Sequence, residues 1–204
     1  TMTKLAKTTP TYGSRALGYL GLTMYETVVN GSTKNISMAL QLNELPTLPK
    51  PISGKSMNYI LAMNAGQALM LKNLFEYAEP ERLNSIDSLE NTILLAIKKS
   101  DNQEETDRSI AYGREVAKAI FEWSKTDGGY QGYSRNFVST YVFPVGASYW
   151  VPPLNGQIVS PYPLHPFWGK NRTFAPENGN LPVPKMTTYS EKVGSEYYNM
   201  MNEV

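Results

Sequence analysis

Apolar residues recur along the first two-thirds of the chain at the spacing of a helix face. Leu17, Leu20, Met24, Tyr25 and Val28 form one stripe, which predicts a helix starting after Pro10, ending near Asn30-Gly31 and burying that stripe. Gly18 and Gly21 weaken this helix, so their expected use is the close approach of a second one. A short helical piece is predicted around Met38 to Leu42, after which Pro46, Pro49 and Pro51 impose a loop. Met57, Ile60, Leu61, Asn64, Ala65, Ala68, Leu71 and Phe75 mark a second amphipathic helix that stops before Pro80. A third presents Ile86, Leu89, Ile93, Leu94 and Ile97 on one side, with Lys98 and Lys99 near the end where the helix dipole favours cations. The fourth carries Ile110, Gly113, Ala117, Ile120 and Trp123 or Ser124. Asp101 and Glu104 stand before it at the spacing of a capping box, and Asp127-Gly128-Gly129 stops it. Long amphipathic helices with short connections predict an all-α fold, a helical bundle. The best alternation of period two, Phe137 to Phe143, is too short to predict more than a trace of sheet.

The pattern then changes. Between Tyr149 and Pro184 stand eight prolines, Pro152, Pro153, Pro161, Pro163, Pro166, Pro176, Pro182 and Pro184, which remove backbone donors and exclude a long helix or a central strand. Trp150, Tyr162, Phe167, Trp168 and Phe174 interrupt them with more apolar area than a disordered proline-rich segment carries, so an ordered wall is expected. Thr188 and Glu191 have capping-box spacing, and Val193, Tyr197, Met200, Met201 and Val204 run one apolar face to the last residue, as if the helix continued beyond it. The chain thus divides into a helical bundle over 1–127, a proline- and aromatic-rich segment over 128–187 and the start of a further helix over 188–204.

Composition narrows the functions. A net charge of +1 on 204 residues, 41% of them hydrophobic, suits a globular core and gives no reason to expect a nucleic-acid partner. No apolar run is long enough to span a membrane, and Thr1 to Pro10 has no apolar centre of a signal peptide. With no cysteine there is no thiol nucleophile, and with a single histidine no mechanism needing two imidazoles can be built from one copy.

Candidate chemistry is sparse. Gly54-Lys55-Ser56 has the ending of a phosphate-binding loop, but Pro49 occupies the position that requires glycine. Asn30, Asn35 and Asn171 head glycosylation sequons that matter only in a glycosylating secretory pathway. Glu26, Glu76 and Glu79 lie on helices without the histidine three residues on that a bundle metal site wants, and they read as solvated. Asp101, Glu104, Glu105 and Asp107 suit the start of a helix. His165, Lys170 and Arg172 share one proline-rich turn. Lys170 and Arg172 could attract an oxyanion; alternatively Arg172 pairs with a carboxylate while His165 fixes the turn.

Three groups of residues resemble the N-terminal half of the vanadium-dependent haloperoxidases, in the superfamily that also holds the type 2 phosphatidic acid phosphatases. They are Ser14-Arg15-Ala16 with Met24-Tyr25-Glu26 and Leu42-Asn43-Glu44-Leu45-Pro46; then Trp123-Ser124-Lys125-Thr126-Asp127-Gly128-Gly129; then Trp150-Val151-Pro152-Pro153 with Phe167-Trp168-Gly169-Lys170-Asn171-Arg172-Thr173-Phe174-Ala175. The resemblance implies an all-helical protein of two bundles, the second binding vanadate or phosphate. That superfamily's lysine-x6-arginine-proline, proline-serine-glycine-histidine and serine-arginine-x5-histidine motifs do not occur here. The resemblance therefore implies a chain with no catalytic or metal-binding residue of its own, inert alone. Its partner would be a C-terminal catalytic domain, and its setting periplasmic or secreted. It would brace that domain and line the substrate channel with Trp150, Pro152, Pro153, His165, Phe167, Trp168, Lys170, Arg172 and Phe174. Peroxidase and phosphatase chemistry both stay open, as does homo-oligomerisation. The rival reading is a non-enzymatic helical module whose aromatic loop binds a peptide, a glycan or a protein.

Overall fold

A computed structural model describes residues 8–98, 102–152 and 160–203. Pro10, whose fixed φ suits a first helical turn, opens α1 (Pro10–Val28), which tightens into a 3-10 turn over Val29–Gly31. After the loop set by Pro46, Pro49 and Pro51 comes α2 (Tyr59–Leu74), where the Asn58 side chain accepts from the Ile60 and Leu61 N–H groups at 3.1 and 3.2 Å. Next are α3 (Pro80–Ile97) and α4 (Gln103–Ser124), and near the end a short α5 (Glu196–Asn202). The protein is all-α. Among the described residues the only β-type pairing is an isolated bridge between Phe137 and Leu164.

Helix α2 is the axis of the bundle and packs on α1, α3 and α4. Small residues allow this. A Cβ on Gly113 would lie 1.9 Å from the Ala62 carbonyl oxygen, so the backbones of α2 and α4 touch at that point. Ala62, Ala65, Met70, Val116, Ala117 and Ile120 around it are almost wholly covered.

Helix α1 buries a different face from the one its apolar stripe predicts. Leu20 is covered, but Leu17 and Met24 are 56% and 48% exposed, while Thr23, Glu26 and Thr27 are at most 2% exposed. The threonines are tolerated because their hydroxyls donate to the Tyr19 and Thr23 carbonyls, both at 2.9 Å. Glu26, expected on a solvated face, instead accepts from the Met38 N–H at 2.6 Å and the Ser37 hydroxyl at 2.8 Å, tying the following segment to the helix. That segment is not helical over Met38 to Leu42. Leu40 and Glu44 have φ of 65° and 56°, in the left-handed region, and the chain turns. Gly18 faces the Phe174 ring rather than another helix, and Gly21 faces open space.

Both capping boxes also move. At α4 the cap is Asn102, which accepts from the Glu105 N–H at 3.1 Å and donates to the Glu105 carboxylate at 2.9 Å. Asp101 lies outside the described residues, as do Lys99, Pro153 and Val204. At the chain's end Ser195, not Thr188, accepts from the first turn, so α5 starts at Glu196 and leaves Val193, Met200 and Met201 exposed. Helix α3 buries only Ile86.

Candidate functional site

Where α1, the end of α4 and the proline-rich segment meet, the sequence supplies charged and amide side chains that use backbone groups of the loop as partners. Arg15 projects from α1; its Nε donates to Asp127 at 2.7 Å and its Nη2 to the Arg172 carbonyl at 2.6 Å. Asp127 is buried just past α4, and its other oxygen accepts from the Gly129 N–H at 2.5 Å. Gly128 follows at φ of 89°, a turn that places the next stretch back against α1.

Arg172 is the second clasp. Nη1 donates to Glu44 at 2.6 Å and to the Thr126 hydroxyl at 2.9 Å, Nη2 donates to the Trp123 carbonyl at 2.9 Å, and the guanidinium lies 5.0 Å from the Trp123 ring. Asn43 adds a third. Its side chain donates to the Thr173 carbonyl and hydroxyl, both at 2.9 Å, and its backbone oxygen accepts from the Trp123 indole at 3.0 Å. Phe174, set by these bonds, packs its ring 5.0 Å from Tyr19 and 5.4 Å from Trp123.

His165 fixes a separate turn. Its φ of 46° is left-handed, and it is buried. Nε2 lies 2.9 Å from the Gly132 carbonyl, which can only accept, so Nε2 carries a proton, and Nδ1 shares a hydrogen bond with the Thr11 hydroxyl. The Trp168 ring stacks on the imidazole at 4.7 Å. Beside them opens a cleft of about 90 Å³ lined by Gly132, Arg135, Val138, His165, Phe167 and Trp168. Farther along the wall, Phe143 lies 6.2 Å from Trp150 and 6.2 Å from Tyr162, and Tyr141 lies 5.5 Å from Phe167. Trp150 and Phe167 are 48% and 44% exposed. Pro152 is half-buried, and Lys170, exposed, holds its ammonium 4.8 Å from the Phe167 ring.

This geometry answers the two readings of His165, Lys170 and Arg172. Both nitrogens of His165 are engaged, and Arg172 pairs with a carboxylate and two further oxygens, so the three do not form an oxyanion grip. They do not fit vanadate or phosphate, which need several free cations converging on one point. No three His, Asp or Glu side chains among the described residues are grouped to hold a metal ion. No helix there is long and apolar enough to cross a membrane. The structural roles of Arg15, Asn43 and Asp127 were not predicted from residue chemistry. For Arg15 and Asn43 the only sequence signal was membership of the stretches that carry the family resemblance; Asp127 also stood in the Asp127-Gly128-Gly129 helix stop, which did not point to Arg15.

Those three stretches, far apart in sequence, contribute Arg15, Asn43 and Glu44, then Trp123, Thr126 and Asp127, then Arg172 and Phe174 to one junction. Neither a protein-family model nor a curated protein matches the chain. Among solved structures it is similar to a bacterial vanadium-dependent iodoperoxidase, with a TM-score of 0.72 and 27% identity over 96% of this chain. It spans 44% of that protein's length. By fold, the chain is related to part of a vanadium haloperoxidase.

Proposed function

We propose that these residues are the N-terminal helical part of a haloperoxidase-like protein, bracing a catalytic bundle supplied by further sequence and forming one wall of the approach to its anion site. The observation that carries this reading is the convergence of all three resembling stretches on the Arg15–Asp127–Arg172 junction, in a chain similar to less than half of a longer peroxidase. Trp150, Pro152, Phe167 and Trp168 would line that approach, with Lys170 at its rim; the exposed Trp150 and Phe167 rings suit an apolar substrate or product. Pro153 belongs to the same proposal but lies outside the described residues. An extracytoplasmic setting is part of it.

Vanadate binding, followed by the 51V resonance, and iodide oxidation with peroxide test it. We expect neither for the 204-residue chain, and both for the polypeptide encoded by the natural gene if that gene continues into a lysine-to-arginine-proline signature and paired histidines. Vanadate binding and turnover by the 204 residues alone would overturn it.

A further inference from the structure

Part of the apolar stripe of α1 is left in water. Leu17 and Met24, one face of the helix at i and i+7, are 56% and 48% exposed, while Tyr19, Leu20, Leu22, Thr23, Glu26 and Thr27 are buried. Met24 is one wall of a groove of about 180 Å³, floored by Ile60, Met63 and Leu71 of α2 and closed by Leu89 and Ile93 of α3. Ile60 and Leu89 are 53% and 58% exposed. Single exposed aliphatic residues are ordinary, but a continuous lining from three helices marks a contact surface.

We propose that this groove seats an amphipathic helix belonging to the remainder of a longer polypeptide. The inference rests on the reading above and extends it to a named surface. The groove suits a helix because its lining is mostly apolar, with Asn64, Gln67 and Glu90 as its polar members. Gln67 donates to the Leu20 carbonyl at 2.8 Å and Asn64 to the Glu90 carbonyl at 2.9 Å, so each floor amide is held in place by a bond within the bundle. A helix satisfies its own backbone and needs only apolar knobs. The nearby charges do not favour an ionic partner, since Lys72 pairs with Asp87 at 2.5 Å and Arg114 with Glu90 at 2.8 Å. A second copy fits less well, because a two-fold contact would set groove against groove and fill neither. The source of the helix follows from size: the similar peroxidase has more than half of its length outside the matched region, as the 44% coverage shows.

Methionine footprinting tests this without turnover. The 204-residue chain and the longer gene product are exposed to hydroxyl radicals, and oxidation of Met24 is read by mass spectrometry against Met186, which is 78% exposed and distant in sequence from the groove. The expected result is Met24 oxidation several-fold slower in the longer polypeptide, restored to the fast rate by Leu89→Glu, with the Met186 rate unchanged. Equal Met24 rates in the two would overturn the proposal. So would protection in the 204-residue chain that grows with its concentration, which would assign the groove to a second copy. The vanadate titration of the longer polypeptide reports separately on the proposed function, so either result can fail while the other stands.

Discussion

Between α2 and α4 the protein is joined through missing side chains: Gly113 and Ala62 let two backbones meet, and the surrounding core is alanine, valine and isoleucine. Between α1 and the segment after Gly128 the join is made by long polar side chains, Arg15, Asn43, Asp127 and Arg172, reaching the carbonyls, hydroxyls and carboxylates of a chain that has little regular structure of its own. The first kind of contact cannot be adjusted, because the atoms involved belong to rigid helices. The second fixes a loop that prolines keep from forming ladders, one backbone oxygen at a time. A substitution in each region should therefore fail differently.

The largest loss is expected at Gly113→Ala. With the new methyl placed 1.9 Å from the Ala62 carbonyl oxygen, α2 and α4 must separate, and the effect should reach the upper range for overpacking, about 3 kcal/mol or more. Urea unfolding should show a lower midpoint with far-UV and near-UV circular dichroism shifting together. Divergence of the two signals would mean that the helices and the loop do not share this contact's stability.

Asp127→Asn should come next. The carboxylate is 1% exposed and faces Arg15, so the change leaves a largely buried guanidinium without its ion pair; it keeps an acceptor for Gly129, which limits the loss to about 2–3 kcal/mol. Here the near-UV signal of Trp123 and Trp168 should fall at lower urea than the far-UV helix signal. A double-mutant cycle with Arg15→Met isolates the pair, and a coupling energy near zero would show that Asp127 acts only as a turn cap.

The same contrast explains what could be read from the chain. The four long helices were legible within a few residues because periodicity and proline report on local backbone preference. Which face α1 buries was not. Hydrophobicity selects Leu17 and Met24, whereas packing selects the face whose threonines and Glu26 can find partners within reach. The Met38 to Leu42 piece was misread because Leu40 is left-handed without being glycine, where propensity sees only apolar spacing. Of the candidate site, the structural reading of His165 and Arg172 came from residue chemistry. The junction itself did not, because Arg15, Asn43 and Asp127 act through pairings across more than a hundred residues, with no local pattern.

His165→Ala should have a smaller effect, about 1–2 kcal/mol, since the Gly132 carbonyl and the Thr11 hydroxyl lose their partner while solvent from the adjoining cleft can reach the gap. Removal of the imidazole from the Trp168 face should change that indole's fluorescence in the folded state. An unchanged emission spectrum would place Trp168 elsewhere than on His165.

The smallest effect at neutral pH, and the one most confined to the seam between the two regions, belongs to the tyrosines. Tyr133 of the loop stacks on Tyr77 at 3.9 Å and meets Tyr12 of α1 edge-on at 5.3 Å; its hydroxyl donates to Glu76 at 2.8 Å. Burial first, and then the Glu76 carboxylate, raises the Tyr133 phenol above its ordinary value of 10.0, and burial raises Tyr12 and Tyr77 as well. The folded state therefore holds phenolic protons that the unfolded chain releases. Below pH 10 both states are protonated and stability is unaffected; above it the unfolded chain binds fewer protons and stability falls as the pH rises. Tyr133→Phe should cost about 1 kcal/mol at neutral pH through the lost bond to Glu76, and should make the alkaline decline shallower. Midpoints of urea unfolding on either side of pH 10 check this, and an alkaline slope as steep in the variant as in the parent would mean that Tyr12 and Tyr77, on the bundle side, carry the titration without the loop.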